Sequence, residues 1–100
     1  MEKKFINELV ETIVSLNKKE STLAFLKNIL TPDELEEMSR RFQIFKLLVK
    51  GTPQREVAKK LHVSIGTVSR GSRELKYGEP GLERILKKLW RLNPSGRLRE

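Results

Sequence analysis

The sequence predicts an all-α chain of six short helices, the fourth and fifth forming a helix-turn-helix. Three observations carry that prediction. Apolar residues recur at three- and four-residue spacing along most of the chain, and nothing alternates with period two over a useful length. Cap-and-proline or glycine signals then cut the pattern into segments of about a dozen residues.

The first segment holds Phe5, Ile6, Leu9, Val10, Ile13, Val14 and Leu16, which marks an amphipathic helix near 3–17. Leu23, Phe25, Leu26, Ile29 and Leu30 mark a short second helix after Lys19-Glu20-Ser21. Thr31-Pro32-Asp33-Glu34 opens the third: the Thr31 hydroxyl can cap, Pro32 suits the first helical position and Glu34 completes a capping box. Its stripe is Leu35, Met38, Phe42, Phe45 and Val49, widened by Ile44, Leu47 and Leu48, and Gly51 is placed to end it. Thr52-Pro53 repeats the cap-then-proline device before a fourth helix over Gln54–Leu61. Ser64 can cap a fifth near 65–76, and Gly78-Glu79-Pro80-Gly81 breaks the chain before a last helix with Leu82, Ile85, Leu86 and Leu89.

One hundred residues at 37% hydrophobic content make one small domain, expected over residues 1–92, with 93–100 as a flexible basic tail. Six short helices do not easily bury such wide apolar faces in one small monomer. A homodimer in which apolar faces of the first three helices cross between chains is therefore expected, with a compact monomeric bundle as the alternative. No apolar run is long enough to span a bilayer, and Met1-Glu2-Lys3-Lys4 leads into the amphipathic pattern without a signal-peptide core, so a cytoplasmic location is expected. There is no cysteine, and a single histidine makes a metal site improbable within one chain. Without a metal-ligand cluster, a glycine-rich phosphate loop or a partner for that histidine, an enzyme is not expected.

The charge balance is uneven. Residues 1–53 carry nine basic and eight acidic side chains, whereas residues 54–100 carry twelve and five, so +7 of the net +8 lies in the second half. A regional basic excess suggests a polyanion partner. Aromatic residues mostly occupy core-like positions, which disfavours single-stranded RNA, since that usually needs exposed stacking platforms.

Residues 54–76 carry the motif. Val57, Ala58, Leu61, Val63 and Val68 supply the apolar positions of a helix-turn-helix, with Ala58 small where two helices approach. Ser64 ends the turn and caps the next helix. Ile65, Gly66, Thr67 and Ser69 would face outward, short enough to let the helix start sit deep in a DNA major groove. Gln54, Arg55 and Lys59 lie on the first helix, where phosphate contact is expected, and Lys76 adds a cation at the end of the second. His62 stands where many such turns place glycine to allow positive φ.

These residues resemble a family. Leu30-Thr31-Pro32-Asp33-Glu34, Arg41 with Ile44, Gln54-Arg55-Glu56, and above all Ser69-Arg70-Gly71-Ser72 followed by Leu75-Lys76 are similar to the bacterial tryptophan repressor family over about residues 26–92. The resemblance implies an intertwined helical homodimer that represses transcription when L-tryptophan, a corepressor and not a cofactor, fills a pocket beneath each reading helix. By that similarity Arg70 would pair with the ligand carboxylate, and the indole would lie between Arg41 and Arg70 beside Ile44. Gly71 would leave room for the ligand. Thr31 and backbone carbonyls near Leu26, Asn28 and Leu30 would reach it from the partner chain. Glu74 stands where the family has a serine near the ligand ammonium; a carboxylate there could hold the ammonium or pair along the helix with Arg70.

The expected function is therefore sequence-specific binding to a double-stranded operator, promoted by L-tryptophan or a related amino acid. A DNA-binding regulator of the same superfamily that needs no small molecule is the alternative. A helical module docking on an acidic protein or RNA is a third class.

Overall fold

The computed structural model describes residues 2–79 and 81–91. It contains six helices and, among the described residues, no strand: α1 Lys3–Ser15, α2 Lys19–Ile29, α3 Pro32–Val49, α4 Gln54–Leu61, α5 Ile65–Tyr77 and α6 Leu82–Arg91. The expected basic tail over 93–100 lies outside the described residues. The chain divides into two compact units, residues 1–35 and 36–100.

In the first unit α1 ends at Ser15, two residues short of the expected boundary at 17. Leu16 turns extended, and its N–H closes the helix on the Ile13 carbonyl. Neither α1 nor α2 has a buried residue, and Phe5 and Val14 are 70% and 78% exposed. The second helix opens at Lys19 rather than after Ser21, with Glu20 in its first turn, where a carboxylate complements the helix dipole. The capping box at Thr31 is formed in both directions. Thr31 N–H donates to Glu34 Oε1 at 2.8 Å, and Glu34 N–H donates to Thr31 Oγ1 at 3.2 Å.

The second unit is built on the end of α3. Two carbonyls of its last turn are taken by Gly51 N–H on Leu48 O and Thr52 N–H on Leu47 O, both at 3.0 Å. That is the glycine-terminated Schellman arrangement, and it requires the φ of +94° that Gly51 adopts. The next start differs from expectation: Pro53, not Thr52, occupies the N-cap of α4, since the first helical bond runs from Val57 N–H to the Pro53 carbonyl at 3.0 Å. Ile44, Val57 and Val68 form the buried cluster, with Leu47, Leu48, Ala58, Leu61 and Val63 packed against it. Each such side chain contributes about 1.5–3 kcal/mol when fully buried. This cluster clamps α4 and α5 onto α3, so the angle of the helix-turn-helix is set by apolar contact. Leu86 is the buried residue of α6, which packs on α5.

Candidate nucleic-acid interface and the adjoining arginines

The turn between α4 and α5 is governed by one unusual residue. His62 caps α4 with φ 55° and ψ 45°, the left-handed conformation that its sequence position predicts. It is the one non-glycine residue with positive φ among those described. Its N–H and that of Val63 both converge on the Ala58 carbonyl. Val63 then turns inward to the core, and Ser64 caps α5. Thr67 N–H donates to Ser64 Oγ at 3.1 Å, and the Ser64 and Thr67 hydroxyls bond to each other at 2.8 Å. Losing such a cap typically costs about 1 kcal/mol.

The four residues expected to face outward divide into two kinds. Ile65 is 49% exposed and Gly66 is exposed, forming the open tip of α5. Around Gly66 there is room for a side chain: an added Cβ would meet only Ser64 Oγ, at 3.8 Å. Thr67 and Ser69 are half-buried, and their hydroxyls are engaged within the motif. Ser69 Oγ donates to Gln54 Oε1 at 2.9 Å, which ties the middle of α5 to the first residue of α4.

Charge on the motif is uncompensated. Arg55, Lys59, Lys60, Arg70, Arg73 and Lys76 are exposed, and among the described residues none of them forms an ion pair. Ion pairs occur on α3 and α6, where Arg40 pairs with Glu36 and Arg41 with Glu37 at 3.2 Å and Lys87 pairs with Glu83 at 3.7 Å; other cations of those helices, Lys46 and Arg84 among them, form none among the described residues.

The residues assigned to an amino-acid pocket are distributed as follows. Arg41 is exposed and held by its surface pair with Glu37, an interaction worth on the order of 0.2–1 kcal/mol. Arg70 is exposed one residue before Gly71. Ile44 is 3% exposed and belongs to the core. Gly71 is buried against it: an added Cβ would stand 2.8 Å from Ile44 Cγ2 and 3.8 Å from Phe45 Cε1. The structural need for glycine at 71 is thus the close approach of α5 to α3, a signal that sequence spacing did not carry. Arg41, one turn before Ile44, and Arg70, next to Gly71, sit within a turn of that contact. Glu74 makes no ion pair with Arg70; its carboxylate extends the other way, with Oε2 3.0 Å from where a Cβ of Gly78 would be.

Leu26, Asn28, Leu30 and Thr31 belong to the first unit. Leu26 O accepts from Leu30 N–H at 3.0 Å, and Asn28 Nδ2 donates to Ala24 O at 2.7 Å. Leu30 is extended at the C-cap of α2, where the last carbonyls of the helix lack intrahelical donors.

No helix among the described residues is long and apolar enough to cross a membrane, and no cluster of three His, Asp or Glu among them could hold a metal.

Residues 4–90 match the family model described as Trp repressor protein. Curated relatives named Trp operon repressor homolog are similar to the chain. That of Actinobacillus succinogenes is 40% identical over 75 residues, covering 74% of each chain. That of Mannheimia succiniciproducens is 41% identical over 84 residues, covering 81% of each, and that of Chlamydia caviae 36% identical over 83 residues, covering 82% of each. No solved structure matches the chain.

Proposed function

Because the chain belongs to the Trp repressor family of DNA-binding transcriptional repressors, we propose that it is a cytoplasmic homodimer whose operator binding is promoted by L-tryptophan or a related amino acid. The observation that carries the DNA half of this reading is the tip of α5. Ile65 and Gly66 stand open to solvent on a capped helix, flanked by exposed cations without acidic partners. A helix start with a short outer profile enters the major groove, while Arg55, Lys59 and Lys76 bond backbone phosphates on either side. Thr67 and Ser69 line the entering face behind that tip.

The exposed apolar face of α1 supports the homodimer. Phe5, Ile6, Leu9, Val10, Ile13 and Val14 are each at least 40% exposed, and such an apolar helix face marks an interaction surface. A second copy covers it, and two reading heads then address a two-fold operator.

In the ligand half, Arg70 binds the carboxylate and its guanidinium stacks with that of Arg41 on the indole. Glu74 receives the ammonium. Thr31 and the carbonyls near Leu26, Asn28 and Leu30 come from the partner chain. The ligand shifts the orientation of the reading heads only by its difference in affinity for their two arrangements.

A second reading, DNA binding without any small molecule, is favoured by the Ile44–Gly71 contact, since those two residues already satisfy each other without a ligand. Titrating operator-containing DNA with and without L-tryptophan separates the two. A gain in DNA affinity on adding L-tryptophan supports the corepressor reading, and unchanged affinity supports the second. Binding that does not weaken with rising salt excludes both, because phosphate contacts release counterions.

A further inference from the structure

Ser69 departs from what three hydroxyl residues in α1 and α2 do. Thr12, Ser15 and Thr22 each return their hydroxyl to the carbonyl four residues back, at 2.8–2.9 Å. That is the ordinary habit of a hydroxyl inside a helix. Ser69 instead donates across to Gln54 Oε1 at 2.9 Å, fifteen residues away and half-buried. The consequence falls on Gln54. A carboxamide is an acceptor at one end and a double donor at the other, and it can be turned about with little change of shape. With its oxygen taken by Ser69, its amino end is left for another partner. Among the described residues nothing accepts from that amino group. No buried side-chain nitrogen or oxygen lacks a partner, so the group meets solvent.

We propose that Ser69 is a positioning residue. It holds the Gln54 carboxamide so that the amino end, not the oxygen, is presented to a backbone phosphate of duplex DNA. The exposed cations Arg55 and Lys59 on the same helix fit that partner. The opposite orientation would aim a partial negative charge at a phosphate. The inference rests on the DNA-binding reading above and adds a division of labour: Ser69 works through Gln54 and need not touch DNA.

Binding of the full chain to a short random-sequence fluorescent duplex tests both, followed by anisotropy across a salt series with and without L-tryptophan. Wild type should bind with an affinity that falls steeply with salt; no binding, or flat binding, overturns the DNA reading and this inference with it. Ser69→Ala and Gln54→Ala should each weaken binding several-fold, and the double variant should be no weaker than either. Their salt slopes should match wild type, because a neutral amide displaces no counterion. Ser69→Thr, which keeps the hydroxyl, should restore binding. Gln54→Glu retains an oxygen for Ser69 but presents another outward, and it should bind more weakly than Gln54→Ala. Thermal unfolding of each variant separates lost binding from lost fold, and Gln54→Glu and Ser69→Thr keep the test open if Ser69→Ala unfolds. Additive losses in the double variant, or a Gln54→Glu protein that binds like wild type, would overturn the inference while leaving the DNA reading intact.

Discussion

Gly71 of α5 lies so close to Ile44 of α3 that a methyl in place of its hydrogen would stand 2.8 Å from the Ile44 Cγ2. That methyl branches directly from Cβ and cannot swing aside as the end of a long side chain would. Substituting Gly71→Ala must therefore push the two helices apart or drive Ile44 off its rotamer. The expected destabilisation is about 1–3 kcal/mol, the usual cost of overpacking, partly offset by the better helix propensity of alanine. Adding Ile44→Leu, which has no branch at Cβ, should recover part of the loss. Urea unfolding midpoints of the two variants check this, and an unchanged midpoint for Gly71→Ala would remove the packing explanation.

Gly66 presents the opposite case. Its added Cβ would meet nothing closer than 3.8 Å, so the folded chain has no steric need for glycine there. A helical glycine costs about 0.8–1.0 kcal/mol against alanine. Gly66→Ala and Gly66→Leu should both raise the unfolding midpoint. If the tip of α5 enters the groove, DNA affinity should fall in order of side-chain size, Gly66→Leu losing about tenfold or more, the scale of one lost base contact. Higher stability with undiminished DNA affinity would show that the tip stays clear of the duplex.

At His62 the strain is in the backbone. Its φ of 55° is available to glycine without penalty and costs an ordinary L-residue about 1–2 kcal/mol. His62→Gly should be neutral to mildly stabilising, by up to about 1 kcal/mol, because relief in the folded chain is partly spent on a freer unfolded one. His62→Val should destabilise, since β-branched residues tolerate this conformation worst. Thermal denaturation of the two variants gives the comparison.

Local chemistry explains why much of this fold could be read in advance. The Thr31–Glu34 box, the Gly51 stop, the Ser64 cap and the His62 turn each need only neighbours within a few residues, and each formed as its residue types dictate. Val57 and Val68 were legible as core because their spacing suits only a tight helix pair. What escaped depends on partners distant along the chain. Nothing in the local sequence tells that Gly71 meets Ile44, or that Ser69 abandons its own helix for Gln54. Thr52 is not the cap of α4, because the first helical bond there runs from Val57 N–H to the Pro53 carbonyl and so starts one residue later. Of the residues expected to face DNA, the exposed tip at Ile65 and Gly66 was legible from the motif, whereas the internal engagement of Thr67 and Ser69 was not.

Glu74 gives the most specific handle on the proposed amino-acid ligand. It lies one turn after Arg70 on α5, yet its carboxylate extends toward Gly78, leaving the Arg70 guanidinium without an intrahelical acidic partner. If Arg70 takes the carboxylate of an α-amino acid and Glu74 its ammonium, the two substitutions should have separable effects. Arg70→Ala should abolish detectable binding of L-tryptophan, and Arg70→Lys should not restore it, because an ammonium can neither fork onto a carboxylate nor lie flat on an indole. Glu74→Gln should weaken L-tryptophan several-fold, on the scale of a charge-assisted hydrogen bond made partly in solvent, about 1 kcal/mol. It should leave indole-3-propionate, which has the carboxylate and no ammonium, bound as in the unaltered chain. Calorimetric titration with both compounds distinguishes the roles. Equal losses for the two would mean that Glu74 shapes the site without reading the ammonium, and full tryptophan binding by Arg70→Ala would place the pocket elsewhere.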